Sequence, residues 1–412
     1  LGCAVLTKGP VGVILPLFVF GAYLLMLRKY SLLTIFKALL YIGVSSLFLP
    51  LLWYIAAWKQ GGDKFLDVVL AENFGRFFHL NTPDINYDLG HENGVWYNFM
   101  TLAAGFIPWT IFFFFSLFGL NWQRKKGSFK QVLKDSWNNI LSMEKEKLFS
   151  LVALVCIIFF YSIPSSKRSV YLMPAYPFIA IFLAQYAIYI TEYRTKVTRI
   201  FAAFLASVTT VVLIAIGLTM IGVIDPVAIA SQYTSRTSTL AQVEAVSNIF
   251  SFSYGLTVYI VIVVLVALLT VLYQMFKKIN IKILYATIAL SFTINLLIDG
   301  VIMRGIRQDG SARPFAEKVM KEYPLNENNM FVMNNLKKYR NLYGLNFYLG
   351  NRFHNFEQEM PEEGFFFATS SDLEVVLKNY EGQYTFNILT SSERIIHEVR
   401  RPVVLCSFLR VK

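Results

Sequence analysis

Charge is what this sequence has least of. Asp, Glu, Lys and Arg make up 16% of its 412 residues, where soluble globular domains carry roughly 25%. With 56% hydrophobic residues, that deficit excludes an ordinary soluble globular chain and points to a polytopic membrane protein. Cysteine is nearly absent. Cys3, Cys156 and Cys406 are far apart, form neither metal-ligand spacing nor a disulfide framework, and say little about redox compartment. No Gly-rich phosphate loop, internal repeat or low-complexity tract is visible. An initiating Met is missing too: Leu1 opens the chain in an apolar context, which predicts N-terminal truncation with no signal peptide to read. Net charge is +12, for which nucleic-acid binding is the competing reading. The basic clusters fall between apolar runs, so no nucleic-acid partner is predicted.

What the sequence does have is long apolar runs. A membrane-crossing helix needs about 20 mostly apolar residues. That template predicts eight spans, over residues 10–27, 38–57, 98–120, 148–163, 171–190, 200–224, 253–274 and 283–303. Lysine and arginine in the connecting loops set the orientation. One set of alternate loops, from Arg28–Lys29 to Lys277–Lys282, holds sixteen of them; the opposite set holds seven. The first set is therefore predicted cytoplasmic. The outer side receives the N-terminal stub, the loop 59–97, the turn 165–169 and everything after Met303.

Within the outer loop, residues 63–78 predict a helix lying on the membrane. Phe65, Leu66, Val68, Val69 and Leu70 crowd one side, while Lys64, Asp67 and Glu72 can face water. A simple interfacial anchor is the plainer alternative. Residues 224–253 form a second outer loop, polar and chemically weak. After Met303 charge returns. Strands are predicted at 330–333, 345–349, 364–368, 384–389 and 402–408, with helices at 311–323 and 372–380, Pro314 suiting a first helical turn. The expected architecture is thus a transmembrane region, residues 1–303, followed by a small α/β accessory domain, residues 304–412.

Three constellations could carry chemistry. Thr7-Lys8-Gly9-Pro10 puts a cation at a membrane edge beside backbone amides expected to be free, and lysine binds phosphate as a point charge. The alternative is a lysine snorkelling to the interface. Lys167 and Arg168 sit in a short turn on the side that positive charge disfavours, which suggests an anionic partner or a lipid headgroup. The loop 59–97 supplies Arg76, able to bind phosphate in bidentate fashion, and Glu72, His91 and Glu92, able to orient hydroxyls or take protons. The HExxH zinc signature fails because Val95 stands at the second His position. No cofactor is assigned; a divalent metal stays open.

These motifs occur in a familiar order. Thr-Lys-Gly-Pro at Lys8, Glu-x-x-x-Arg-Phe from Glu72, His-Glu-x-x-x-Trp-Tyr from His91 and Ser-Lys-Arg-x-x-Tyr-Leu-x-Pro from Ser166 resemble those of bacterial GT-C glycosyltransferases, the aminoarabinose transferase and protein mannosyltransferase group. The resemblance covers nearly the whole chain. It implies a polytopic helical protein of the bacterial inner membrane with a periplasmic α/β domain. The implied reaction moves a sugar from a polyprenyl-phosphate donor to a lipid A, protein or glycan acceptor. On this reading Lys8, Arg76, Lys167 and Arg168 bind the donor phosphate, while Glu72, His91, Glu92, Tyr97 and Tyr171 shape the site. The catalytic aspartate of the family would lie upstream, so this chain alone is expected to be inactive. Asn93-Gly94 departs from relatives, which often carry Pro two residues before the Trp. Two alternatives compete: a transporter or flippase of a lipid-linked anion, which would bury its charges at mid-bilayer and show paired repeats, and a non-catalytic membrane scaffold.

Overall fold

The computed structural model describes residues 1–70, 93–118, 128–164, 167–250, 255–333, 341–392 and 394–411. All eight apolar runs fall on helices. Among the described residues, five helices are long and apolar enough to cross a membrane: Leu32–Asp63, Ser169–Tyr193, Thr195–Met220, Gly255–Lys277 and Asn280–Arg307. A sixth candidate is bent, and the helix Val11–Leu27 is apolar but only 17 residues long. The helix Lys145–Ser162 opens on Lys145, Glu146 and Lys147.

The chain forms two compact units, residues 1–202 with 279–284, and residues 203–278 with 285–412. In the first unit the helix Gly2–Lys8 stops at Gly9, whose φ of 66° is costly for a side chain with a Cβ. The chain then doubles back. A Cβ on Gly12 would lie 2.4 Å from the carbonyl of Ala4, so glycine is what lets these two short helices touch. Phe18 meets Phe159 at 6.3 Å and Tyr23 meets Phe149 at 5.3 Å between ring centroids. The helix Val11–Leu27 therefore runs antiparallel to Lys145–Ser162. A second cluster joins Phe112, Ala187, Ile190, Phe201 and Leu284. Hydroxyls in these apolar surroundings are satisfied locally, as hydrocarbon demands: Thr191 donates to the Ala187 carbonyl at 2.7 Å and lies 2.9 Å from the Thr198 hydroxyl.

The predicted span 98–120 is not one helix. It divides into Tyr97–Gly105 and Trp109–Phe118, bent by 101°. Pro108 has no N–H to donate and its ring crowds the preceding turn, which a window of hydropathy cannot register. Of three further expectations, one is corrected and two gain detail. The loop 224–253 holds two helices, Pro226–Tyr233 and Thr237–Ile249, the first capped by the Asp225 carboxylate. Residues 345–349 are not a strand but part of the helix Tyr343–Tyr348. Leu345 and Leu349 both enter the core, a spacing that suits one helix face. The helix predicted at 63–78 continues from the preceding span across a break at Gly62 as far as Leu70; the rest of that stretch lies outside the described residues.

In the second unit the C-terminal residues build a mixed sheet of β1 (Met330–Val332), β2 (His354–Asn355), β3 (Glu363–Thr369), β4 (Tyr384–Ser391) and β5 (Val403–Arg410), in the order β2-β1-β3-β5-β4. β1 is parallel to both neighbours; β5 is antiparallel to β3 and β4. Strand alternation feeds two cores. Phe367, Val403 and Leu405 pack with the helices Arg313–Glu322 and Tyr343–Tyr348. Phe366, Val404, Cys406 and Phe408 pack on the other face with Phe356, Leu373 and Val376. Burial there pushes the Cys406 thiol up to about 12, so it is chemically inert.

His354 stands at the exposed edge of this sheet. Its Nε2 lies 2.6 Å from the Glu327 carbonyl and its Nδ1 3.0 Å from the Glu359 carboxylate. Both partners accept, so both ring nitrogens must donate, and the backbone bond first and the carboxylate second raise the imidazole above its ordinary 6.5. A raised value means the contribution to stability is complete below pH 6.5 and fades as pH climbs through the folded-state midpoint. An NMR titration should place that midpoint above 6.5, and Glu359→Gln should lower it. The ring is exposed, so the effect on global stability should be slight.

Candidate functional site

The corner that gathers the sequence-predicted residues is built on one asparagine. Asn98, only 1% exposed, donates from Nδ2 to the Tyr161 carbonyl at 3.0 Å and to the Ser162 hydroxyl at 3.1 Å. This fastens the start of Tyr97–Gly105 to the end of Lys145–Ser162. Five residues earlier, the Asn93 amide donates to the Lys167 carbonyl at 3.1 Å. Lys167 answers with its ammonium, 3.2 Å from the Asn93 carbonyl and 2.6 Å from that of Pro164. An apolar run carrying a single amide, Asn98, is the sequence signal for this joint, one that composition and motif spacing do not single out.

Lys167 and Arg168, adjacent in sequence, have different surroundings. Lys167 is 4% exposed, with its charge turned onto two carbonyls that close the turn. Arg168 is exposed. Three residues on, the Tyr171 ring stacks on Tyr161, with centroids 5.7 Å apart and planes 20° apart. Tyr97 is half-buried at the start of its helix. Tyr97, Lys167, Arg168 and Tyr171 thus share one corner.

Lys8 belongs to the same end of the unit. Because Val11–Leu27 and Lys145–Ser162 run antiparallel, Val11 and Ser162 are both at the end beyond the Phe18–Phe159 contact, by roughly 10 and 5 Å at 1.5 Å per residue. Lys8 is exposed at the close of its own helix, just before the Gly9 break. The amides expected to be free there are engaged: Gly12 donates to the Gly9 carbonyl at 3.0 Å, and Val13 and Ile14 to that of Pro10 at 3.1 and 3.0 Å. A helix restarting directly at Pro10 consumes its own first donors, so Lys8 offers charge without a nest of N–H groups. Glu72, Arg76, His91 and Glu92 lie outside the described residues.

Next to this corner the 101° bend opens an apolar cleft of about 530 Å³. Leu102, Phe106, Trp109 and Phe113 line it from the broken helix, Leu151 and Leu154 from Lys145–Ser162, and Phe182 and Tyr186 from Tyr176–Tyr193. Thr110 closes the bend by donating to the Ala103 carbonyl at 2.6 Å, and a Cβ on Gly105 would strike the Tyr176 hydroxyl. Among the described residues, no cluster of three or more His, Cys, Asp or Glu could hold a metal.

Solved structures share this architecture. The crystal structure of ArnT from Cupriavidus metallidurans bound to undecaprenyl phosphate superposes with a TM-score of 0.59, covering 98% of this chain and 67% of that one at 15% identity. The apo structure of the same protein matches equally, covering 66% of its chain. The chain has an ArnT-like, GT-C-type fold. It is accordingly a multi-pass membrane protein with a small C-terminal sheet region. No family model matches the sequence. An uncharacterized protein of Aquifex aeolicus (strain VF5) is 30% identical over 184 residues, 44% of this chain. The match spans 30% of that relative's length.

Proposed function

We propose that this chain belongs to a membrane glycosyltransferase that moves a sugar from a polyprenyl-phosphate donor, of the undecaprenyl type, to a lipid A, protein or glycan acceptor at the periplasmic face of the inner membrane. The observation that carries this reading is the ArnT-like fold over 98% of the chain, one neighbour of which is bound to undecaprenyl phosphate. The gathering of Lys8 with the Lys167–Tyr171 turn at one end of the first unit supports it, as does the adjacent apolar cleft, whose walls suit a prenyl chain.

In this mechanism an acceptor hydroxyl attacks the anomeric carbon and gives its proton to a general base, the bond from that carbon to the phosphate oxygen breaks, and polyprenyl phosphate leaves. Lys8 and Arg76 stabilise the charge that grows on the leaving phosphate, the kind of preorganised electrostatics that usually dominates catalysis. Arg168 contributes from the turn, and Lys167 acts mainly by holding that turn in shape. Glu72, His91, Glu92, Tyr97 and Tyr171 shape the sugar and acceptor side. Residues 304–412 act as an accessory domain.

Donor recognition can be tested without turnover. The purified protein should retain undecaprenyl phosphate in native mass spectrometry, in preference to undecaprenol. Widening the cleft with Phe106→Ala or filling it with Ala103→Phe should alter retention of long prenyl phosphates more than of short ones. Equal retention of the alcohol and the phosphate would overturn the proposal.

A further inference from the structure

A second amphiphilic pocket lies within the second unit, where the last membrane-crossing helix leaves the apolar layer. That helix runs from Asn280 to Arg307, about 42 Å at 1.5 Å per residue against a hydrocarbon layer of about 30 Å, so Arg307, its last residue, stands outside the hydrocarbon. Just there Met303, Ile306, Arg307, Gly310, Tyr348 and His397 line a pocket of about 520 Å³, chiefly apolar. The terminal turn is wedged firmly. A Cβ on Gly305 would lie 1.8 Å from Ile249, and Gly310 packs against the His397 ring, leaving no room for a Cβ. The ring nitrogen of His397 is 3.0 Å from the Ile306 carbonyl. Glu398, the acidic group of the pocket, is turned onto the Gly344 N–H at 2.8 Å.

Two cations are left over. Arg304 and Arg307, three apart on the helix Met303–Asp309, are exposed and make no hydrogen bond or ion pair with the described residues. Beside them, the helix Tyr343–Tyr348 turns aromatic rings to the outside: Tyr343 is 63% and Phe347 68% exposed, and Tyr348, paired with Phe347 at 5.4 Å, joins them at the pocket wall. Tyr343 and Phe347 are four apart and share one helix face. Exposed rings at the level where a span ends have the composition of an interfacial belt, and arginines at that level attract anionic headgroups.

We propose that this pocket and its aromatic face form a docking surface for the bilayer, seating the phosphate of an anionic phospholipid against Arg307 and holding the C-terminal sheet down on the membrane. The inference rests on the exit point of the last span and is independent of the transfer reaction.

The test uses the full chain in vesicles of phosphatidylcholine, with or without phosphatidylglycerol. Wild type should co-purify with phosphatidylglycerol, and Arg307→Gln should lower that retention about fivefold; Arg304→Gln Arg307→Gln should lower it further. Both arginines are exposed, so the variants should fold. A nitroxide on Phe347→Cys, in a Cys3→Ser background, should be more accessible to dissolved oxygen than to a water-soluble nickel complex. Displacement of the lipid by inorganic phosphate, unchanged retention in Arg307→Gln, or a nitroxide that meets mainly the nickel complex would each overturn the proposal.

Discussion

Lys8→Ala and Arg76→Ala should each reduce sugar transfer on the order of 10²-fold or more, the usual cost of deleting one preorganised partner of a developing charge. The assay is transfer from a radiolabelled lipid-linked sugar by the full-length protein, reconstituted in membranes. Lys8 is exposed and makes no hydrogen bond or ion pair with the described residues, so its removal should leave the fold intact and act on rate alone. Lys167 gives the contrasting case. Lys167→Met preserves the length of the side chain but strips the Asn93 and Pro164 carbonyls of their donor. Each buried group left unsatisfied costs about 1–3 kcal/mol. That variant should lose activity through a loosened corner, seen as faster proteolysis near residues 93–98, whereas Lys8→Ala should show no such change. Transfer at the wild-type rate in both Lys8→Ala and Arg76→Ala would remove these cations from the donor site.

The largest loss of stability is expected from Phe356→Ala. Phe356 is fully buried and its ring meets five others, those of Phe366, Tyr380, Tyr384, Phe386 and Phe408, at 5.0 to 5.9 Å between centroids. Truncating a buried Phe costs about 3–5 kcal/mol through lost burial and the cavity left behind. Against a typical folding free energy of about 5–15 kcal/mol, that should make the C-terminal sheet unfold at a markedly lower temperature or denaturant concentration, while the apolar helices persist in the bilayer. Circular dichroism should show residual helix, and limited proteolysis should cut after residue 303. Tyr384→Phe is the matched control. The Tyr384 hydroxyl is buried with no hydrogen-bond partner among the described residues, so its deletion should be neutral or slightly stabilising. Equal damage from both substitutions would show that the ring cluster is not what holds the sheet together.

The helices were legible because hydrocarbon imposes a length and a composition that any window can count. Among the described residues five helices meet that test outright and a sixth only as a bent pair, because the break at Pro108 does not change the hydropathy of the run around it. The β3 and β5 strands were readable from their β-rich runs. The run 345–349 was not, since Leu345 and Leu349 satisfy a strand's period and a helix's face equally well, and the packing of the helix Arg313–Glu322 against Tyr343–Tyr348 decides between them. At the site, the types of residue were visible but not their duties. Sequence puts Lys167 and Arg168 side by side; only packing shows that one charge is spent on carbonyls. The role of Asn98 depends on Tyr161 and Ser162, more than sixty positions away, and no local pattern announces it. Val11–Leu27 and Lys145–Ser162 pair along their lengths through ring contacts that no motif encodes.

The bent helix has a consequence for how the protein enters the membrane. Its halves hold 9 and 10 residues, each roughly 14 Å long at the α-helical rise, about half the thickness of the hydrocarbon layer. Neither half could be threaded and released into lipid as a span of its own, because each is too short to cross the layer. The corner satisfies much of its own backbone, with Phe106 and Ile107 donating to the Leu102 and Ala104 carbonyls, Thr110 to that of Phe106 and the Thr110 hydroxyl to that of Ala103, while Lys145–Ser162 and Tyr176–Tyr193, made later by the ribosome, wall the cleft beside it. Biogenesis of this segment must therefore wait for downstream sequence, and nascent chains halted before Tyr193 should leave it at the translocon or on the bilayer surface.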